Sequence, residues 1–176
     1  MDTTALPTSS APSSPLLPRP VPAIDALLPG ADHVDVKTID ADRPMRPFVA
    51  ALLSYHPGWL RALFRLRSWI VPLLGLRSGA PAFAPLDPAA VPMEAGAAAA
   101  FFTVESARED DHWIASASES HLTAHLGVVT ERIGGRFRHH VITIVHYRSW
   151  AGPVYFAVVR PFHHLVVRAM MRAAAR

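Results

Sequence analysis

The chain has 176 residues, 51% hydrophobic and only 18% charged, which is enough apolar material for one core and excludes wholesale disorder. It has no cysteine, which excludes disulfides, thiolate zinc sites, iron–sulfur clusters and a cysteine nucleophile. Its net charge of +3 is too small a bias to point to a nucleic-acid partner.

Seven of the 17 prolines fall in the first 30 residues, with Ser and Thr between them. Proline fixes φ and removes a backbone donor, so residues 1–22 are expected as a disordered tail, with a single α+β domain over residues 23–176. The start carries Asp2, no early Lys or Arg and no apolar run. A secretory leader is therefore not expected, and a cytoplasmic location is.

Asp32–Ile39 alternates, with Val34 and Val36 on one face and His33, Asp35 and Lys37 on the other, the pattern of a half-buried strand. Pro44–His56 places Phe48, Leu52 and Tyr55 at helical spacing and ends at Pro57-Gly58. A second helix follows, with Leu60, Leu63, Phe64, Ile70 and Leu74 on a broad face; Pro72 should bend or end it. The stretch Trp59–Leu76 is the most apolar of the chain, but it holds Arg61, Arg65, Arg67 and Pro72, so no transmembrane helix is expected.

Four prolines make Ser78–Pro92 a surface loop. Ala95–Val104 is expected as a strand, Glu109-Asp110-Asp111 as a turn, and Trp113–Ala117 and His121–Thr130 as strands. Gly134-Gly135 signals a hairpin into a strand over Arg136–Arg148. Val154–Arg176 is expected as a long helix kinked at Pro161, with Tyr155, Val158, Phe162, Val166 and Ala169 along one stripe. Segregated strands and helices indicate α+β: an antiparallel sheet, two short consecutive helices and a long C-terminal helix packed on one face.

Charge is unevenly placed. After Glu131 there are eight arginines and no carboxylate, so residues 132–176 carry +8 and the remainder −5. Arg160, His164, Arg168 and Arg172 fall four apart on the last helix. They form either an anionic-surface patch or the solvated back of an amphipathic helix.

The ten histidines offer several constellations. His121 and His125 have helical metal spacing, but on a strand they stand about 13 Å apart, so no metal site is expected. His139 shares the more apolar face of its strand with Thr143, whereas His140 and His146 are expected to face outward. His163 follows Phe162 near the proline. A cavity between sheet and C-terminal helix would gather His139, Thr143, Tyr155 and His163, with His121 as a further candidate. No glycine-rich phosphate loop or Gly-x-Ser-x-Gly elbow is present, and no cofactor is expected.

Pro57-Gly-Trp-Leu60, Leu66-Arg67, Gly75-Leu76, His121-Leu122, Thr143-Ile-Val145, Gly152 with Tyr155, and Pro161-Phe162-His163 occur in an order that resembles the bacterial domain-of-unknown-function family numbered 2867, over residues 31–173. That family resembles the helix-grip (START-like, Bet v 1-like) group. The resemblance implies a curved sheet with a long C-terminal helix enclosing apolar ligands. Ser68, Ser149 and Thr123 stand where the family pattern commonly has Asn, Asn and Asp. Four strands after the helices are fewer than the usual six.

Three functions follow as expectations. The first is a module binding a small apolar ligand. The second is an enzyme using His121 or His163 as acid or base. The third is a peripheral membrane or partner-docking protein using Trp59, Trp69 and the C-terminal arginines.

Overall fold

In chain order the elements are α1 (Pro22–Asp25), β1 (His33–Ala41), α2 (Met45–Ser54), α3 (Gly58–Leu73), β2 (Ala98–Ala99), β3 (Phe102–Arg108), β4 (His112–Ser118), β5 (Leu122–Ile133), β6 (Arg136–Tyr147) and α4 (Ala151–Ala174). They are taken from a computed structural model that describes residues 17–73 and 85–176. Residues 1–16 and 74–84 and the side chains of residues 67 and 69–73 lie outside the described residues, and with them the expectations for residues 1–16, Trp69, Ile70, Pro72, Leu74, Gly75-Leu76 and residues 78–84.

Every strand pairing is antiparallel, in one six-stranded sheet of order β1-β6-β5-β4-β3-β2. The first strand thus sits beside the last, the helix pair leaves from β1, and α4 lies across one face. This is the expected α+β arrangement of an antiparallel sheet, two consecutive helices and a long C-terminal helix. Among the described residues, five strands follow the helix pair rather than four. The extra one arises because Ala95–Val104, expected as one strand, is a hairpin: Ala100 takes φ 57° and Ala98–Ala99 folds back on Phe102–Thr103. The Gly134-Gly135 turn has positive φ at both residues, 55° and 85°, the geometry that matches the twist of flanking strands.

Period-2 alternation assigns the two faces of the sheet. On the inner face, Trp113, Ala115, Leu126, Val128 and Val141 meet Met45, Phe48, Val49, Leu52 and Leu53 of α2 and Val167, Met171 and Ala174 of α4. At the other end of that face, Leu122 and Val145 pack on Tyr155 and Phe156 of α4. On the outer face, Ile114, Val129, Ile142 and Ile144 are covered by Leu17, Val21 and Ile24.

Two expectations change on the outer face. Residues 17–22, placed within the tail, are packed: Leu17 and Val21 are buried, and Arg19 pairs with Asp111. Gly127 makes room for this cover, since a Cβ there would lie 2.9 Å from Ile24 Cδ1. His140 and His146 are accordingly not solvent-facing rows. His140 is buried and bonded to Thr38 Oγ1 at 2.9 Å, and His146 reaches the carbonyls of Gly30 and Leu27 at 3.2 and 3.0 Å.

The rotation of α4 also differs from the expected stripe. Phe156, Val167, Met171 and Ala174 turn toward the sheet, Val158, Phe162 and Val166 turn toward α3, and Tyr155 and His163 touch both sides. This helix is apolar on more than one side, so local periodicity does not choose which stripe is covered. The helix is assigned continuously through Pro161.

Candidate functional site

The sequence makes α3 and α4 partners of a particular kind. Residues 43–86 and 132–176 contain no carboxylate, so neither helix carries an acidic side chain. Leu60, Leu63, Phe64 and Leu66 of α3 face Tyr155, Val158, Val159, Phe162, His163 and Val166 of α4 across a groove of about 240 Å³. Tyr155 and His163 are the residues of this lining with polar side-chain atoms. This groove lies between α3 and α4, whereas the expected cavity was set between the sheet and the C-terminal helix. The sheet-facing side of α4 is occupied by packed side chains.

Of the five residues expected to form the site, the structure brings Tyr155 and His163 to the groove. His121 stands behind them, fully buried just before β5, with its ring edge-on to Tyr155 at 4.5 Å and Glu119 3.6 Å from its Nε2. Close approach of α4 here depends on Gly152, where a Cβ would lie 2.7 Å from the His121 carbonyl and 2.9 Å from Tyr147 Cβ. Thr143 lies on the inner face beside Asp35, its partner across β1.

His139 is at the other end of the sheet. Its partner on β1 is Ile39, four residues from Asp35, or about 13 Å along the strand. It stacks on Phe48 at 4.0 Å. Its Nε2–H donates to the Arg43 carbonyl at 2.9 Å, and its Nδ1 accepts from the Thr130 hydroxyl at 3.0 Å. Both nitrogens are satisfied by a neutral ring, and burial holds its pKa below the usual histidine value. It is a core residue bracing β6 against the loop before α2.

Beneath the groove floor lies a charged cluster that alternation had set on the polar face of β1. Asp35 and Lys37 form an ion pair, both largely buried. His164 Nδ1 is 3.1 Å from Lys37 Nζ and 3.6 Å from Asp35 Oδ2. His163 Nε2 is 4.0 Å from the same carboxylate oxygen, and the ring of His33 packs on Phe156 at 4.8 Å. Burial alone would raise the Asp35 pKa, but the Lys37 hydrogen bond and the surrounding positive charge hold it below the usual carboxylate range. Desolvation lowers His163 to about 4, leaving it neutral at pH 7. His33, Asp35, Lys37 and His164 were not among the expected site residues. The alternation of β1 did place three of them together; what it lacked was the identity of the element across from them.

A second polar chain sits on the outer face. Ser106 Oγ is 2.9 Å from His112 Nε2, and His112 Nδ1 is 2.8 Å from Asp111 Oδ2. The bonding order is that of a hydrolase triad, but the groove is on the opposite face of the sheet, and Asp111 is engaged by Arg19. Here the chain ties the β3–β4 hairpin to the N-terminal cover. His125 is bonded to Glu105 at 3.0 Å, on the other face from His121, so the two histidines share no site. Among the described residues, no group of three or more His, Asp or Glu is arranged to hold a metal, and no helix is long and apolar enough to cross a membrane.

None of the curated proteins matches the chain. Among solved structures it is similar to one described as the crystal structure of Ara h 8.0201, at 11% identity, covering 81% of this chain and 97% of that one, with a TM-score of 0.35. The family described as "Protein of unknown function (DUF2867)" matches residues 27–170, and the chain belongs to that family.

Proposed function

We propose that the protein binds a small molecule with an apolar body in the α3–α4 groove. The observation that carries this reading is the groove itself: about 240 Å³ lined by leucine, valine and phenylalanine, with Tyr155 and His163 as the residues of its lining that carry polar side-chain atoms. Ligand pockets are typically apolar with a few placed polar groups, and a volume just below the usual few hundred Å³ suits one ring system or a short acyl chain. The apolar wall supplies affinity, and His163, neutral and backed by Asp35, supplies orientation.

The acid–base alternative is less well supported by the same features. With its pKa lowered to about 4, His163 is not an imidazolium at pH 7, so it is no general acid there and only a weak base. His121 is not among the groove-lining residues and meets Tyr155 of that lining edge-on.

A thermal-shift screen against lipids, quinones and aromatic metabolites tests the reading. A ligand at about 100 times its Kd should add ~2.7 kcal/mol of stability, a rise of several degrees. Val159→Phe, which fills the groove, should abolish that rise while leaving the unliganded midpoint nearly unchanged. A ligand-induced rise that survives the filled groove would place binding elsewhere and sink the proposal.

A further inference from the structure

We infer that the outer rim of the groove is a docking surface for an anionic lipid bilayer, entered edge-on by α3 and α4. Trp150, Val154, Val158, Phe162 and Leu165 are each between 44% and 78% exposed and follow one another along one side of α4. On the facing helix Trp59 and Leu66 are exposed as well. A row of large apolar side chains in water is costly for a free monomer and marks a surface that another phase or molecule covers.

Charge selects the covering phase. Arg61 and Arg65 of α3 and Arg160, Arg168 and Arg172 of α4 are exposed, and neither helix holds a carboxylate. On a helical wheel Arg168 and Arg172 continue the stripe that Val154, Val158 and Leu165 begin, so the apolar and basic stretches share one side. Arginine beside exposed tryptophan and aliphatic side chains is the composition of a helix lying in the bilayer interface, where apolar groups enter the acyl boundary and cations meet lipid phosphates. No described helix can cross the bilayer, so contact is from one side. A protein partner would instead have to bring carboxylates to an apolar face. The groove opens between the two helices that make this surface, so a ligand drawn from the membrane would pass directly into it; the docking surface itself does not depend on that ligand.

The experiment is flotation of the full chain with phosphatidylcholine vesicles with and without phosphatidylserine, at low and high salt. Binding is expected only with the anionic lipid and should weaken as salt rises. Arg168→Glu and Arg172→Glu should each cost at least about five-fold in partition. Val154→Glu and Leu165→Glu, exposed residues outside the groove lining, should abolish binding without altering the far-ultraviolet spectrum or the response to a groove ligand. Equal binding to neutral vesicles, or no binding to either, overturns the proposal. So does a dimer in sedimentation that Leu165→Glu dissociates without any vesicle binding. Loss of the groove-ligand response with vesicle binding intact would count against the ligand reading alone.

Discussion

At single residues, the chain's histidines divide by whether their nitrogens are already engaged. His139 has both nitrogens satisfied and one face stacked on Phe48. His139→Leu would leave the Thr130 hydroxyl and the Arg43 carbonyl unpaired. It should cost about 2–4 kcal/mol, read as a lower denaturation midpoint, with the groove-ligand response of the folded protein unchanged. Gly152 has a different constraint: its α-hydrogen faces the His121 carbonyl and the Tyr147 ring. Gly152→Ala should cost about 1–3 kcal/mol by forcing the start of α4 away from the sheet. Because Tyr155 is one turn further on, a weakened groove-ligand affinity should accompany the lower midpoint. The sequence placed Gly152 near Tyr155 in a shared pattern, but the clash partner is a backbone oxygen thirty-one residues away, which no local pattern encodes.

At the scale of elements, period and turn chemistry carried most of the information. β5 and β6 follow from alternation and from Gly134-Gly135, and α2 from its apolar spacing between Pro44 and Pro57. Ala95–Val104 misled because alanine has no strong strand preference and Ala100 adopts a left-handed conformation that only the finished hairpin imposes. α1 was hidden by its prolines. Pro22 sits at the first helical position, where its missing N–H costs nothing, and Val21 and Ile24 plug the outer face. Val21→Asp should bury an unpaired charge there. It should cost more than ~3 kcal/mol, and hydrogen exchange should show the amides at the ends of β4 and β5 losing protection first.

For the whole molecule, the buried histidines link folding to pH. The folded-state value of His163, about 4, lies below its unfolded value of 6.5. Its contribution is complete above pH 6.5 and is lost as pH falls toward 4, because the unfolded chain then binds the proton more readily. That loss approaches ~3 kcal/mol, and the lowered values of His33, His56 and His139 add to it with the same sign. The denaturation midpoint should therefore fall between pH 7 and pH 4. His163→Leu should flatten that slope, leaving the part due to the other three. An unchanged slope in that variant would show that His163 is solvated in solution.

The sequence by itself determined the α+β class, the order of its larger elements, the two faces of β1, β5 and β6 and the carboxylate-free C-terminal segment, because each of these depends on residues within a few positions of one another. Only the tertiary structure decided which stripe of α4 meets the sheet, that the polar face of β1 lies under that helix, and that a groove opens toward α3. A helix apolar on several sides can satisfy its own periodicity in more than one rotation. Packing against Phe48, Met45 and the strands chooses one of them, and that choice buries the Asp35–Lys37 pair and leaves Val158 and Phe162 in the open.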